Sequence, residues 1–182
     1  LAQGALVAGV RVVTGYPGSP ATGVFEALLG ATDPSQVHVQ WAPNEKVAME
    51  IAFGASLGGL RALVVLKSVG LNIALDPLAT MSLSGCHAGL VILLGDDPGG
   101  WGSQNEQDTR WLARVAEVPI VEPINVEQAA ALMVQAFAWS ESVGIPVILR
   151  IVGAMAAGQG VVEPPWQLPP REPGFFRKRN RW

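Results

Sequence analysis

A chain of 182 residues is long enough for one domain with a full hydrophobic core, and 49% hydrophobic against 15% charged residues implies a surface partly covered by partner protein. A formal net charge of −3 gives no long-range pull on nucleic acid, and the single Cys86 excludes an internal disulfide or a self-contained iron–sulfur site while fitting a reducing, cytoplasmic compartment. The apolar runs are broken by Gly, Pro or charge well short of a membrane span, and no secretory leader pattern opens the chain.

Apolar, β-branched runs recur along the chain and predict strands at Val10 to Thr14, Val37 to Trp41, Ala62 to Leu66, Gly89 to Leu94, Val118 to Val121 and Ile145 to Ile151. Several are continuous rather than alternating, as expected of strands covered on both faces. Helices are expected between them at about 20–30, 44–59, 71–85, 106–115 and 126–143. Alternation of this kind predicts a three-layer α/β/α, doubly wound, mostly parallel sheet of about six strands, because parallel neighbours need crossover connections. From Gly153 the alternation fails. Residues 154–182 are rich in Pro, hold Trp166, Phe175, Phe176 and Trp182, and carry the basic cluster Arg177-Lys178-Arg179-Asn180-Arg181. The expected organisation is therefore a domain over 1–153 and a linker or arm over 154–182 that reaches toward another domain. Leu1 in place of a start Met, and the ending at Trp182, predict a piece of a longer chain.

In a sheet of this type the loops after the strand C-termini gather on one edge, where ligands bind. Those loops here are the polar and glycine-rich ones. Tyr16-Pro17-Gly18-Ser19-Pro20 has the turn formers of an ordinary βα connection and lacks nucleotide-loop spacing. Lys67-Ser68-Val69-Gly70-Leu71-Asn72 also reads as a turn, with Gly70 supplying backbone freedom. Asp96-Asp97-Pro98-Gly99-Gly100, running on through Gln104, Asn105 and Asp108 to Arg110, reads most plainly as a solvated loop that caps a helix near Asn105 or Asp108.

Asn44 is a good N-cap, Pro43 keeps the entry extended, and Val47, Ala48, Ile51, Ala52 and Ala55 fall at helical spacing. Glu45 lies in the first turn, where any carboxylate complements the helix dipole. Cys86, His38 and His87 lack the spacing of a zinc site, and no Gly-x-Ser-x-Gly elbow is present.

Glu45, followed nine residues later by Gly54 through an Ala-rich helix, resembles the signature of the pyrimidine-binding domain of thiamine-diphosphate enzymes. With Thr14-Gly15-Tyr16-Pro17-Gly18-Ser19-Pro20, Gly70-Leu71-Asn72 and Ser103-Gln104-Asn105-Glu106-Gln107-Asp108, residues 1–153 are similar to the large subunit of the indolepyruvate type within the 2-oxoacid:ferredoxin oxidoreductases. The resemblance implies oxidative decarboxylation of a 2-oxoacid to an acyl-CoA, with electrons passing through iron–sulfur clusters elsewhere to ferredoxin. It gives Glu45 the catalytic role of hydrogen-bonding the aminopyrimidine ring nitrogen of thiamine diphosphate. It places Tyr16, Pro17, Gly18 and Ser19, and Ser68, Val69, Gly70 and Asn72, around the cofactor, with Lys67, Gln104, Asn105 and Arg110 as substrate candidates.

No metal ligands are implied here, since the Gly-Asp-Gly stretch that holds the diphosphate and Mg²⁺ normally lies in a second domain and Gly95-Asp96-Asp97 lacks its second glycine. Half a site in an oligomer is the expectation, with a diphosphate-binding domain or subunit as partner and with no nucleic acid or membrane. Two alternatives stand beside it: a pyruvate- or 2-oxoglutarate-type thiamine enzyme on the same scaffold, and a non-catalytic domain of this fold that serves assembly.

Overall fold

The computed structural model describes residues 1–163 and 166–174. Six strands form one sheet in the order β2-β1-β3-β4-β6-β5, every neighbouring pair parallel. They are β1 (Val12–Gly15), β2 (His38–Trp41), β3 (Ala62–Lys67), β4 (Leu90–Asp96), β5 (Ile120–Val121) and β6 (Val147–Val152). The expected doubly wound sheet is thus present and wholly parallel. Five of the strands begin one or two residues later than the apolar runs suggest, because Val10, Val37, Gly89, Val118 and Ile145 belong to the connections entering them.

The central strands β3 and β4 are buried along nearly their whole length, which is why they read as unbroken apolar runs. On one face, α3 (Glu45–Leu57), α4 (Ser68–Ile73), α5 (Leu75–Ser84) and α6 (Arg110–Val115) cover Val64, Leu66, Ile92 and Leu94 with Met49, Leu71, Leu78 and Met81. On the other, α1 (Ala2–Val7), α2 (Thr22–Ala31) and α7 (Val126–Val143) cover Leu63, Val65, Val91 and Leu93 with Phe25, Leu28, Met133 and Phe137. A short α8 (Gly153–Ala156) follows β6.

Three local expectations are corrected. The segment Lys67 to Asn72, expected as a turn, is the helix α4, and Lys67 is its N-cap residue. The helix expected near 106–115 starts only at Arg110. In α3 the buried stripe is Ala48, Met49, Ala52 and Ser56, while Ile51 is exposed at its outer edge. The stripe is rotated because the helix packs with Ser56 inward, where its hydroxyl donates to the Ala88 carbonyl at 2.6 Å.

One buried ion pair ties the C-terminal ends of α1 and α7 to the sheet. Arg61, 3% exposed just before β3, donates from Nε and Nη2 to the Glu141 carboxylate of α7 at 2.8 and 3.1 Å, and from Nη1 to the Ala8 carbonyl at 2.8 Å. Burial pushes the Glu141 carboxyl up, but the Arg61 hydrogen bonds and charge, with the Gly89 N–H, outweigh it and hold the group below the ordinary carboxylate range. A carboxyl whose folded value lies below its unfolded one stabilises the fold above the unfolded value and loses that contribution as pH falls through the folded one. Glu141→Ala leaves the Arg61 charge buried without its partner and is expected to cost about 3 kcal/mol, read by urea unfolding at neutral pH. The difference between wild type and variant should shrink as the pH is lowered below the normal carboxylate range.

Candidate active site

The connection from β1 turns to one side of the sheet, to β2, while β3 leads on to β4, so the chain order reverses between β1 and β3. A crevice opens at the C-terminal ends of two such strands, and in folds of this type it is the place for a ligand. The residues lining it here are Gly15 and Lys67, the last of each strand.

The first turn of α3 is fixed over this crevice by two short-range devices and one long-range one. Asn44 adopts an extended backbone and accepts the Val47 N–H at 2.9 Å, which starts the helix. The Ala42 N–H donates to the Gly15 carbonyl at 2.9 Å, which carries the chain from β2 across the end of β1. Thr14, buried on β1, donates its hydroxyl to the Ala48 carbonyl at 2.7 Å. Together these hold half-buried Glu45 at the mouth of the crevice.

Glu45 then lies across α4. A methyl group on Gly70 would fall 2.7 Å from Glu45 Cγ and 2.8 Å from Oε1, so the carboxylate runs directly over the bare Cα of that glycine. Gly70 is therefore needed for close approach rather than for a turn. Gly18 does the same against Lys67, where an added Cβ would meet Lys67 Cβ at 2.6 Å. This brings Tyr16, Pro17, Gly18 and Ser19 beside the end of β3, with Tyr16, Pro17 and Ser19 exposed and the Ser19–Pro20 bond cis. Ser68 and Gly70 are buried in α4, Val69 is half-buried and Asn72 is exposed.

The four substrate candidates divide. Lys67 does border the crevice, but its Nζ donates to the Gly102 carbonyl at 3.0 Å, tethering the loop after β4. Asp97 holds the same loop turn by accepting the Gly102 N–H at 2.6 Å. That bond, with help from Ser103, Trp101 and the Lys67 charge, outweighs desolvation and keeps Asp97 below the usual range. Arg110 is spent locally. Its Nε and Nη2 both reach Asp108 at 2.8 Å, and the bonded guanidinium holds the Asp108 carboxyl at about 2. Gln104 and Asn105 are exposed in the loop.

Two arrangements beneath this loop were not read from the sequence. Asn72 and Gln107 exchange amide hydrogen bonds of 2.9 and 2.8 Å, joining α4 to the loop. Below them Asp96, fully buried at the end of β4, accepts Arg150 Nε and Thr109 Oγ1 at 2.6 Å each, while Arg150 Nη1 donates to Glu122 at 2.6 Å. The available signal was Arg150 itself, a lone cation inside the apolar run Val147 to Val152, which demands a buried counter-charge.

A thiamine cofactor fits what this edge presents. A carboxylate stands at the crevice mouth against the bare Cα of Gly70 on α4, and Gly18 lets the loop after β1 close on Lys67 at the end of β3. Among the described residues, no group of three or more His, Cys, Asp or Glu is gathered as a bound cation would need.

The family model for the thiamine-diphosphate-binding region of pyruvate flavodoxin/ferredoxin oxidoreductases matches residues 3–172. Indolepyruvate oxidoreductase subunit IorA of Archaeoglobus fulgidus is 40% identical over 167 residues, covering 90% of this chain and 27% of that one. The subunit of the same name from Methanothermobacter thermautotrophicus is 38% identical, covering 97% and 28%. The chain thus spans little more than a quarter of these curated relatives. A solved structure of 2-oxoglutarate:ferredoxin oxidoreductase from Magnetococcus marinus, with 2-oxoglutarate, coenzyme A and succinyl-CoA bound, shares the fold at a TM-score of 0.76. It is 20% identical and matches 85% of this chain and 28% of its own.

The two glycines of the thiamine-like signature make different demands. Gly70→Ala forces the Glu45 side chain to swing away, and this displacement offsets the helix-propensity gain that Ala brings. Gly54, inside α3, has nothing within 4 Å of an added Cβ. Gly54→Ala is therefore expected to raise stability by about 0.5–1 kcal/mol. Thermal unfolding of both variants checks the pair, and equal effects would contradict the Glu45–Gly70 contact.

Proposed function

The chain belongs to the thiamine-diphosphate-binding family of pyruvate flavodoxin/ferredoxin oxidoreductases, and we propose that it forms the pyrimidine-side half of a 2-oxoacid:ferredoxin oxidoreductase active site of the indolepyruvate type. The observation that carries this reading is Glu45, held by Asn44 and Thr14 at the β1/β3 crevice with its carboxylate over Gly70. The identity to two IorA subunits supports the indolepyruvate type over the other members of the family. The reaction would be oxidative decarboxylation of a 2-oxoacid to its acyl-CoA, with two electrons leaving toward ferredoxin.

Bound thiamine diphosphate supplies a carbon nucleophile and a sink for the electrons released with carbon dioxide. The chain's own part is positional and acid–base. Glu45 holds a proton at the aminopyrimidine ring nitrogen, the step a general acid–base group performs when fixed within hydrogen-bond reach. Gly70 and Val69 line the passage beside it on α4, and Tyr16 to Ser19 form the opposite wall. Lys67 keeps the loop after β4 folded against that wall, leaving Gln104 and Asn105 as the groups nearest to hand for a substrate that enters from solvent. Mg²⁺ and the diphosphate would be held by another domain or subunit, and the iron–sulfur clusters would lie outside these residues. Residues 1–153 would be the pyrimidine-binding domain and 154–182 an arm toward the next. Phe175, Phe176 and the basic cluster from Arg177 to Arg181 lie outside the described residues.

The reading is tested on the complete oxidoreductase by 2-oxoacid-dependent reduction of a viologen dye with CoA and thiamine diphosphate. Glu45→Gln is expected to lose at least about a hundredfold in rate with the cofactor still bound. Full activity in that variant returns Glu45 to an ordinary first-turn carboxylate. A second expectation follows from the half-site. Residues 1–182 alone should bind thiamine diphosphate with Mg²⁺ far more weakly than the assembled complex, by calorimetry, and tight binding by this piece would contradict it.

A further inference from the structure

The sheet edge opposite the crevice holds a second concentration of polar groups, which the chemistry above does not use. β1 and β3 pair in register, Val12 beside Ala62, so the residues just before them, Arg11 and Arg61, stand side by side. The Arg11 N–H donates to the Arg61 carbonyl at 2.9 Å. Residues 166–174 return across this edge, where the Gly174 N–H donates to the Gly58 carbonyl at 3.2 Å. They bring a third cation, Arg171, whose Nη2 donates to the His87 carbonyl at 2.8 Å. A cavity of about 260 Å³ lies among these arginines, with Gly9, Gly59 and Gln167 in its wall.

The charges here do not balance. Among the described residues one carboxylate, Glu141, serves this cluster, 2.8 Å from Arg61 and 3.8 Å from Arg171. No described carboxylate pairs with Arg11, whose guanidinium is engaged through Nε on the Gln36 carbonyl. Arg171 Nε is buried without a hydrogen-bond partner. Capping of helix carbonyls accounts for Arg61, which reaches Ala8 at the end of α1. It accounts for neither the unused terminal nitrogens of Arg11 nor the orphaned Nε of Arg171. Gly9 and Gly59, at φ +76° and +86°, keep the backbone beside the cavity free of side chains.

We propose that this cavity binds an oxyanion, a phosphate group either free or carried by a small molecule, between Arg11 and Arg171. A guanidinium presents paired N–H groups that match two oxygens of one phosphate, and it stays charged at any working pH. The volume falls below that of pockets that enclose a whole drug-sized ligand, so the group itself, not a complete nucleotide, is what the cavity holds. Because one arginine belongs to the strand edge and the other to the returning segment, the bound anion would clamp residues 166–174 to the sheet. Anything that binds the seated form alone favours that form by mass action.

Calorimetric titration of inorganic phosphate, and separately of glycerol phosphate, into the full-length polypeptide at constant ionic strength tests the site. Wild type is expected to show saturable binding below about 10 mM, weakened at least roughly tenfold in Arg11→Ala and in Arg171→Ala. Tighter binding of inorganic phosphate assigns the site to the free ion, and tighter binding of glycerol phosphate to a carried one. Arg11 is exposed and outside both cores, so its variant keeps the fold, which a thermal melt verifies. Glu45→Gln should bind phosphate as wild type does, which separates this site from the thiamine reading. No saturable heat with either probe, or binding unchanged in Arg11→Ala, overturns the proposal.

Discussion

The buried bond from the Thr14 hydroxyl to the Ala48 carbonyl sets where the functional edge of this domain lies. A helix can pack on a sheet at many axial positions, since dispersion and burial reward contact without specifying register. A hydroxyl inside the core removes that freedom, because an unmade bond there leaves a desolvated donor, a cost of about 1–3 kcal/mol. The bond falls in the first turn of α3 and at the third residue of β1, so it specifies the one coordinate that matters. Asn44 and Glu45 inherit their height above the crevice from it. The close approach to Gly70 follows in turn, as does the short α4 that displays it.

The loop after β4 is governed by a different kind of interaction. Asp96 at the end of β4, Arg150 within β6 and Glu122 just after β5 place three charges together, two of them almost without solvent. Buried pairs of this kind return little net stability, since desolvation offsets most of the attraction. Their value lies in geometry. Asp96 accepts both the hydroxyl and the backbone N–H of Thr109, so the start of α6 is pinned directly to the strand. Asp96 Oδ1 remains buried without a hydrogen-bond partner among the described residues. Lys67 and Asp97 then close the loop on Gly102 from above. The crevice is therefore walled on one side by rigid helix and on the other by a loop clamped at two heights.

How much of this was legible depends on whether the physics is local. The strands were readable because burial on both faces leaves no alternation, as in Ala62 to Leu66 and Gly89 to Leu94. α7, expected at about 126–143, has those bounds, with Asn125 capping its start and Gly144 in the left-handed region after it. α4 was not, since a six-residue segment with Val69, Gly70 and Ile73 has little intrinsic helicity. It is helical because Leu71 is buried and Glu45 lies over Gly70, neither of which periodicity reveals. α1 escaped for a related reason: six residues cannot sustain a helix in isolation, and this one rests on α7. At the site, Glu45 was named by motif, while the bonds of Lys67 to Gly102 and of Arg110 to Asp108 were not foreseen. A long cation finds the nearest acceptor in three dimensions, and sequence spacing does not contain that distance.

The two edges of the sheet show how one topology separates two kinds of surface. In a parallel sheet every strand C-terminus, and every helix N-terminus that follows, faces the same way. That edge here carries the glycines and amides that permit close approach, with Glu45 as the carboxylate at the crevice mouth. Helix C-termini gather on the opposite edge, and their carbonyls favour cations there. Arg61 on Ala8, the C-cap residue of α1, answers that preference, and Arg171 bonds the His87 carbonyl in the connection after α5. The same polarity that makes one edge suited to a carboxylate and a cofactor therefore stocks the other with arginines. Once the returning segment adds Arg171 to Arg11 and Arg61, the cations exceed the carboxylates paired with them among the described residues. An excess of guanidinium around a cavity is the complement of an anion, so the second edge acquires its chemistry from the same chain direction that gave the first edge its own.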